Sequence, residues 1–292
     1  MKGYPACAVL ADIERRIDKP LWTVCDLAGG CSIGGIVALS IFGKGISARD
    51  TLGFFTADGP DIFDQNLLQK IDGDRTELFD SYRYGAGTIE AKLQARLGTG
   101  FISSAKCNVL APAVELGSKE IFFFKSYDRA SALYRLWEAG RATSAAEFFF
   151  PPFAAQGKTF WDGGNAANNP AMCVYADAVR LFGQESDFVL LSLGCGKPAP
   201  DTTSAIGAGI ISTARRVADT IVPAGESVVS YQCETLLGNG YYEIQPVVTT
   251  ALDDASPAAL AALEKAAADC IAANEATIDA FCEQVAANGK IL

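Results

Sequence analysis

Gly30-Cys31-Ser32-Ile33-Gly34 is a Gly-x-Ser-x-Gly motif between an apolar run over residues 24–28 and a second apolar run over residues 36–39. The order strand, motif and helix is typical of a nucleophile elbow, a sharp turn that lifts a serine hydroxyl above a strand end. The motif alone is weak evidence, because a chain with 28 glycines often matches it by chance. A glycine-rich turn with a solvent-facing serine is the alternative, and the flanking runs favour the elbow.

Ser32 is the predicted nucleophile, and its surroundings follow from the geometry of such a turn. The serine would lie at a helix N-terminus, where free backbone N–H groups favour a developing negative charge. The N–H of Ile33 is then a natural oxyanion donor. The turn is expected to require the glycines at positions 30 and 34, because a side chain at either position would clash with the neighbouring strand or helix.

The chain contains no histidine, so an ordinary Ser-His-Asp triad is excluded unless a second chain contributes one. A carboxylate is therefore the first candidate for the general base. Asp162 stands in Phe160-Trp161-Asp162-Gly163-Gly164-Asn165, an aromatic strand end that runs into a loop mouth, where catalytic groups concentrate. Partial burial would raise the pKa of this carboxyl towards useful values. A turn-capping role is the alternative for Asp162, and Asp26 competes by nearness but lies on the strand before the elbow.

The composition narrows the class of protein. The chain has 292 residues and a mean hydropathy of +0.18, which suits a protein with a large core. Its formal net charge of −10 disfavours binding to nucleic acid. Nine scattered cysteines without a Cys-x-x-Cys spacing indicate reduced thiols in a cytoplasmic protein and no metal site. No apolar run is long enough to span a bilayer, and the first residues show no signal-peptide pattern.

Strand-like and helical stretches alternate along the chain, which predicts an α/β fold with a mostly parallel sheet covered by helices. One domain over residues 1–292 is the simplest organisation. Ser256 is a predicted N-cap, and Pro257 is the first residue of a C-terminal helix that ends near residue 287 and packs on the sheet. The pattern also predicts helices over residues 5–17, 33–42 and 207–222, a buried run over 21–28, and strands over 107–114, 121–125, 188–193 and 241–248.

Several stretches resemble those of the patatin-like phospholipase family, the serine–aspartate acyl hydrolases. They are Cys25-Asp26-Leu27-Ala28-Gly29-Gly30-Cys31-Ser32-Ile33-Gly34-Gly35, Phe124-Lys125-Ser126-Tyr127-Asp128, Arg141-Ala142-Thr143-Ser144-Ala145-Ala146, Asp162-Gly163-Gly164 followed by Asn168-Asn169-Pro170, and Leu191-Ser192-Leu193-Gly194-Cys195-Gly196. These stretches occur in the family's order and lie within about the first 250 residues. The ordered set is far more specific than any single motif, and it fits the missing histidine.

The resemblance implies a three-layer α/β/α fold with a central, mostly parallel sheet. It also implies hydrolysis of acyl esters of lipids without a cofactor. Ser32 would attack the carbonyl carbon, Asp162 would accept the proton, and water would then hydrolyse an acyl-enzyme. The implied partner is a lipid or phospholipid substrate, with transient contact at a membrane surface. The oligomeric state and the lipid head group stay open.

The start of the chain departs from the family pattern. The family opens with Asp-Gly-Gly-Gly-x-Arg/Lys-Gly, which supplies oxyanion donors, whereas Met1-Lys2-Gly3 resembles only the end of that motif. We expect the natural start to lie upstream, because the rest of the site is intact. Lys2 and Gly3 would then be the remaining part of the oxyanion loop. The other reading is a chain that has lost most of its oxyanion hole and serves as a non-catalytic binding or storage protein.

Aromatic residues ahead of the Asp162 loop are candidates for the wall of a substrate groove. Phe149, Phe150 and Phe153 are the three that we predict to line it, since ligand pockets are mainly apolar. Core packing is the alternative for each of these rings.

Overall fold

A computed structural model describes residues 1–64, 82–196 and 210–287 of the chain. The helices are α1 Tyr4–Ile17, α2 Leu21–Val24, α3 Ile33–Ala38, α4 Ala48–Thr51, α5 Gly59–Ile62, α6 Ala86–Leu97, α7 Leu136–Thr143, α8 Gly164–Ala167, α9 Ala171–Phe182, α10 Ile210–Leu237, α11 Pro257–Ala273 and α12 Glu275–Ala287. The strands are β1 Leu27–Gly29, β2 Asn108–Glu115, β3 Glu120–Lys125, β4 Phe153–Ala155, β5 Lys158–Asp162, β6 Leu190–Leu193 and β7 Tyr241–Ile244. A π-helical turn, Leu39–Lys44, continues α3.

β2 is the centre of the larger sheet, in which it pairs with β1, β3 and β5, while β4 pairs with β5. β1 runs parallel to β2, whereas β3 and β5 run antiparallel to it and β4 runs antiparallel to β5. β6 and β7 form a separate parallel pair. The α/β class is confirmed, and the sheet is mixed because two hairpins, β2–β3 and β4–β5, and the β2–β5 pair are antiparallel. In the β4–β5 hairpin, Gln156 and Gly157 have φ angles of 50° and 77°, which suits a two-residue turn.

Both faces of β2 are covered. Residues 109–113 are buried in succession, without the alternation of a strand that has one face in water. α7 packs against β2 and β5, and α9 packs against β1. Helices therefore cover the sheet on both faces, as in a three-layer α/β/α arrangement.

β1 and β5 lie end to end along one edge of β2. On this edge the Gly30 N–H donates to the Leu110 carbonyl, and the Leu116 N–H donates to the Thr159 carbonyl. Because β1 is parallel and β5 antiparallel to β2, their C-terminal ends point towards each other across Pro112. Neither strand pairs with Pro112, so its missing N–H leaves no ladder hydrogen bond unmade. The topology therefore brings the residues after β1 and those at the end of β5 together.

The helix predicted over residues 207–222 is wrong at its C-terminal end. α10 continues through Pro223 to Leu237, while residues 207–209 lie outside the described part of the chain. Proline removes a backbone donor and disfavours a helix interior. Here α10 packs against α9 and β7, and this packing stabilises the continuous helix.

The C-terminal helix predicted to run to residue 287 is two helices. Ser256 is the N-cap of α11, as predicted, and its hydroxyl accepts the Ala259 N–H at 3.2 Å. α11 ends before Asn274, whose side chain donates to the Cys270 carbonyl at 2.8 Å. Such side-chain bonds to the backbone compete with helix continuation. Both helices pack against α1, so the predicted packing on the sheet is also wrong.

Two shorter predictions need correction. The run over residues 21–28 is a helical turn, α2, followed by the three-residue strand β1, and it is only partly buried. β7 ends at Ile244, four residues before the predicted end of that strand. The other predicted helices and strands lie within three residues of their observed bounds at most ends, and the predicted 33–42 helix becomes a π-helical turn after Ala38.

Candidate active site

Ser32 lies at the turn between β1 and α3, with φ 54° and ψ −124°. This backbone conformation is rare for a residue with a side chain and costs about 1–3 kcal/mol. Gly30 makes the turn feasible, because a Cβ added there would lie 2.1 Å from the Gly34 carbonyl oxygen. The same expectation for Gly34 is wrong, since a Cβ at Gly34 would meet nothing within 4 Å. Gly34 instead leaves space open beside the serine.

Thr143 holds the backbone of the serine. Its side chain is fully buried, and its hydroxyl accepts the Ser32 N–H at 3.1 Å while donating to the Pro112 carbonyl at 2.6 Å. The two bonds use the hydroxyl both as acceptor and as donor, which fixes its orientation. Gly35 allows this approach, since a Cβ there would lie 2.7 Å from the Thr143 methyl carbon. Thr143, at the C-terminal end of α7, therefore holds the elbow in place through the Ser32 N–H.

Asp162 lies at the end of β5, facing the serine. Its Oδ2 accepts the Ser32 hydroxyl at 2.6 Å, and its Oδ1 accepts the Gly164 N–H at 2.7 Å. Gly163 lets the chain pass over β2, because a Cβ there would lie 2.3 Å from the Pro112 carbonyl oxygen. The structure thus brings Ser32 and Asp162 together. Asp26 is exposed just before β1, and the Ser32 hydroxyl bonds to Asp162 instead.

Asp162 is 6% exposed, and this burial raises the pKa of its carboxyl from the ordinary 3.8 to about 6. The hydrogen bonds from Ser32 and Gly164 oppose the rise, and the negative charge of Glu147 adds to it. Burial also raises the pKa of Glu147, whose carboxylate accepts a hydrogen bond from the Asn165 side chain. A base with a pKa near 6 can be ionised at neutral pH and still accept a proton during a reaction.

The N-termini of α1 and α3 meet beside the serine. Ile33 is the first residue of α3, where backbone N–H groups have no partner within the helix. Gly3 immediately precedes α1, and a Cβ there would lie 2.8 Å from Ile33 Cγ1. Lys2 and Gly3 line the same cavity as Ser32. Two helix dipoles with their positive ends here would stabilise an anion.

A cavity of about 1550 Å³ opens beside Ser32 and is lined mainly by apolar residues. Phe149 and Phe150 are among its lining residues, as are Ala28 of β1 and Leu193 of β6. Phe153 is not in the wall, so its predicted role in the groove is wrong. Its ring is buried against Trp137, with a centroid distance of 5.8 Å.

Sequence reasoning missed residues that the fold brings to the site. Thr143 belongs to a small-residue stretch quoted above, but its hydroxyl had no predicted role. Glu147 follows the same stretch, and its charge acts on a carboxyl fifteen positions later. The one signal in the sequence was Pro112, because a proline within a strand pattern indicates a position where a neighbouring strand does not pair.

In residues 1–64, 82–196 and 210–287, no three or more His, Cys, Asp or Glu side chains form a group that could hold a metal ion. Within the same part of the chain, no helix has the length and apolar character to cross a membrane.

The fold and the site define an α/β protein with a serine–carboxylate pair at an elbow. The family model for the patatin-like phospholipase matches residues 3–175. The "cGAMP-activated phospholipase" of Pseudomonas aeruginosa (strain BWHPSA011 / Pa011) is 25% identical over 257 residues, which is 85% of this chain and 76% of that protein. The rabbit (Oryctolagus cuniculus) "Calcium-independent phospholipase A2-gamma" is 26% identical over 219 residues, 68% of this chain but only 27% of that protein.

VipD from Legionella pneumophila has a similar fold, with a TM-score of 0.50 at 11% identity over 96% of this chain and 65% of that one. Because the family model matches more than half of the chain, the chain belongs to the patatin-like phospholipase family.

Proposed function

We propose that the chain is a lipid acyl hydrolase of the phospholipase A type, which cleaves carboxylic esters of phospholipids or related lipids through Ser32 and Asp162. Membership of the family and the phospholipase names of its relatives support a lipid hydrolase. The observation that carries the assignment of residues is the 2.6 Å hydrogen bond from the Ser32 hydroxyl to Asp162 Oδ2. It is the contact that a general base needs in order to accept the proton of a nucleophile.

The proposed reaction has two steps. In the first, Ser32 Oγ bonds to the ester carbonyl carbon, its proton passes to Asp162, and the carbonyl oxygen becomes negative near the Ile33 N–H. The bond from carbon to the alcohol oxygen then breaks, and Asp162 returns the proton to that oxygen. In the second step water attacks the acyl-enzyme, Asp162 accepts the water proton and returns it to Ser32, and the fatty acid leaves.

The cavity supports an acyl substrate. It has a volume of about 1550 Å³ and a mainly apolar wall. An acyl chain bound there would leave water, which favours binding by about 0.8 kcal/mol per buried CH₂. Lys2, Gly3 and Ile33 would border the oxyanion, and Phe149 and Phe150 would border the acyl chain. No cofactor takes part in this proposal.

A non-catalytic binding or storage protein is the alternative. The phospholipase names of the relatives give this alternative no support. The close Ser32–Asp162 contact and the raised pKa of Asp162 favour catalysis, because a binding protein needs neither.

A fluorophosphonate probe tests the proposal directly. We expect intact-mass analysis to show one adduct on the wild-type chain and none on Ser32→Ala. Ser144→Ala is the matched control, since this buried serine donates to the Gly140 carbonyl at 2.7 Å and should not affect labelling. A folded wild-type chain without an adduct, or an adduct that persists in Ser32→Ala, would contradict the proposed nucleophile.

The pH dependence of hydrolysis gives a second prediction. Because Asp162 must be ionised to accept a proton, kcat/KM should rise with pH through a midpoint near 6, the pKa to which burial raises this carboxyl. Glu147→Gln removes a negative charge that raises the pKa of Asp162, so the midpoint should move to lower pH. The measurement is kcat/KM for a soluble ester from pH 4 to 9. A midpoint that Glu147→Gln leaves unchanged or moves upward would contradict this assignment.

We also propose a cytoplasmic location with transient contact at a membrane surface. The scattered, unpatterned cysteines favour a cytoplasmic protein, and a lipid substrate requires at least transient contact with a membrane surface. The single domain predicted for the whole chain stays a prediction, as does the absence of nucleic-acid partners.

A further inference from the structure

Of three consecutive phenylalanines beside the site, two face inwards and one faces solvent. Phe149 and Phe150 both line the cavity, and Phe150 is only 4% exposed. Phe148 is 86% exposed, the highest exposed fraction among the large hydrophobic residues of the described chain. Exposure of a single apolar side chain is ordinary, so the backbone of this residue is the more informative feature.

Phe148 has a φ of 70°, in the left-handed region that glycine and asparagine usually occupy. The turn is held in place from both sides. The Phe149 N–H donates to the Ala146 carbonyl at 3.1 Å, and the Phe148 carbonyl accepts the Arg83 N–H at 3.0 Å. A large side chain is thus presented to solvent on a fixed but strained turn. Neither core packing nor turn geometry accounts for a phenylalanine at this position.

The turn lies at the cavity. Ala146 and Phe149, on either side of Phe148, both line it, and Glu147 acts electrostatically on Asp162. Tyr82, which precedes the Arg83 that bonds to the turn, is a second partly exposed aromatic residue at 38%. Phe148 is therefore exposed to solvent next to residues that line the cavity proposed for the acyl chain.

We propose that Phe148 is a membrane anchor, which inserts into a lipid surface and holds the cavity against it. This inference rests on the proposed lipid substrate. Phenylalanine is among the residues that interfacial segments bury at the boundary of head groups and acyl chains, and burial there removes the exposed ring from water. With a net charge of −10, the chain suits a zwitterionic surface better than an anionic one.

Vesicle binding is the first test. Ser32→Ala serves as the background, so that hydrolysis does not alter the vesicles, and phosphatidylcholine vesicles are the probe. We expect Phe148→Asn to weaken binding about tenfold, or about 1.4 kcal/mol, while Phe148→Trp keeps it. Asparagine tolerates the φ of this position, so the melting temperature of Phe148→Asn should equal or exceed that of the parent.

Activity with intact Ser32 is the second test. Phe148→Asn should lower hydrolysis of phosphatidylcholine in vesicles about tenfold and leave hydrolysis of a monomeric short-chain ester unchanged. Leu133→Asn is the matched control. Leu133 is 68% exposed, lies between β3 and α7 and is not a cavity residue, so its replacement should change neither activity.

The outcomes separate this inference from the proposed function. Failure of the parent to bind vesicles, equal binding by Phe148→Asn, or an equal loss with Leu133→Asn would each overturn the anchor. Equal loss of both activities in Phe148→Asn would also overturn it, because the residue would then act on catalysis. A chain that binds vesicles through Phe148 but hydrolyses neither substrate would instead contradict the proposed function alone.

Discussion

Asp162→Asn is expected to lower kcat/KM about 10³-fold while the chain remains folded. Asparagine has the size of aspartate and can still accept the Gly164 N–H through its side-chain oxygen. Its nitrogen would then face the Ser32 hydroxyl, where Oδ2 of the aspartate now accepts at 2.6 Å. An amide in this orientation cannot accept the serine proton, so the nucleophile loses its base.

The same substitution should stabilise the fold at neutral and alkaline pH. Burial raises the pKa of Asp162 from 3.8 to about 6, so the folded state binds this proton more tightly than the unfolded state. Stability from this group is therefore full below about pH 4 and is lost as the pH rises to about 6. Above that, the ionised carboxylate costs on the order of 3 kcal/mol. Asp162→Asn removes this cost, so a gain in stability should accompany the loss of activity.

Thermal melting at pH 8, together with steady-state kinetics on a soluble ester, checks both halves of this expectation. Asp26→Asn is the control, since Asp26 is the carboxylate nearest in sequence to the elbow and should be dispensable for activity. Near-normal kcat/KM in Asp162→Asn would exclude this residue as the base. A lower melting temperature at pH 8 would mean that Asp162 acts mainly as a structural hydrogen-bond acceptor.

The elbow could be predicted because short-range chemistry determines it: a Cβ at Gly30 would strike the Gly34 carbonyl oxygen, four residues along the chain. The glycines after Asp162 fit a turn-capping role as well, and the resemblance to the patatin-like family selected Asp162 as the base. Thr143 could not be predicted in the same way. Its partners are the Ser32 N–H and the Pro112 carbonyl, 111 and 31 positions away, and they meet only once β1 and β5 have converged on β2.

Errors in the predicted helices and glycines have a related cause. Pro223 marks a helix end by local rules, but packing of α10 against its neighbours outweighs one lost hydrogen bond. Gly34 belongs to the motif, yet a Cβ there would meet nothing within 4 Å, so packing of the turn does not require glycine at this position. A local pattern therefore located the candidate nucleophile and the family resemblance located the candidate base, while the residues that support them depend on tertiary contacts.

Thr143→Val is expected to lower kcat about 10²-fold with little change in KM. Valine keeps the shape of threonine but can neither accept the Ser32 N–H nor donate to the Pro112 carbonyl. Each buried group left without a partner costs about 1–3 kcal/mol. The strained φ of 54° at Ser32 would lose one of the bonds that hold it, and the hydroxyl would leave its productive position.

Thr143→Ser separates the hydroxyl from the rest of the side chain. Serine keeps both hydrogen bonds and removes only the methyl group that packs beside Gly35. We therefore expect Thr143→Ser to retain most of kcat and of the fluorophosphonate labelling rate, and Thr143→Val to lose both while still folded at the assay temperature. The midpoint of the pH profile should stay near 6 in both variants, because Asp162 is untouched. If serine and valine impair kcat equally, packing of the methyl group positions the elbow, and the hydroxyl does not.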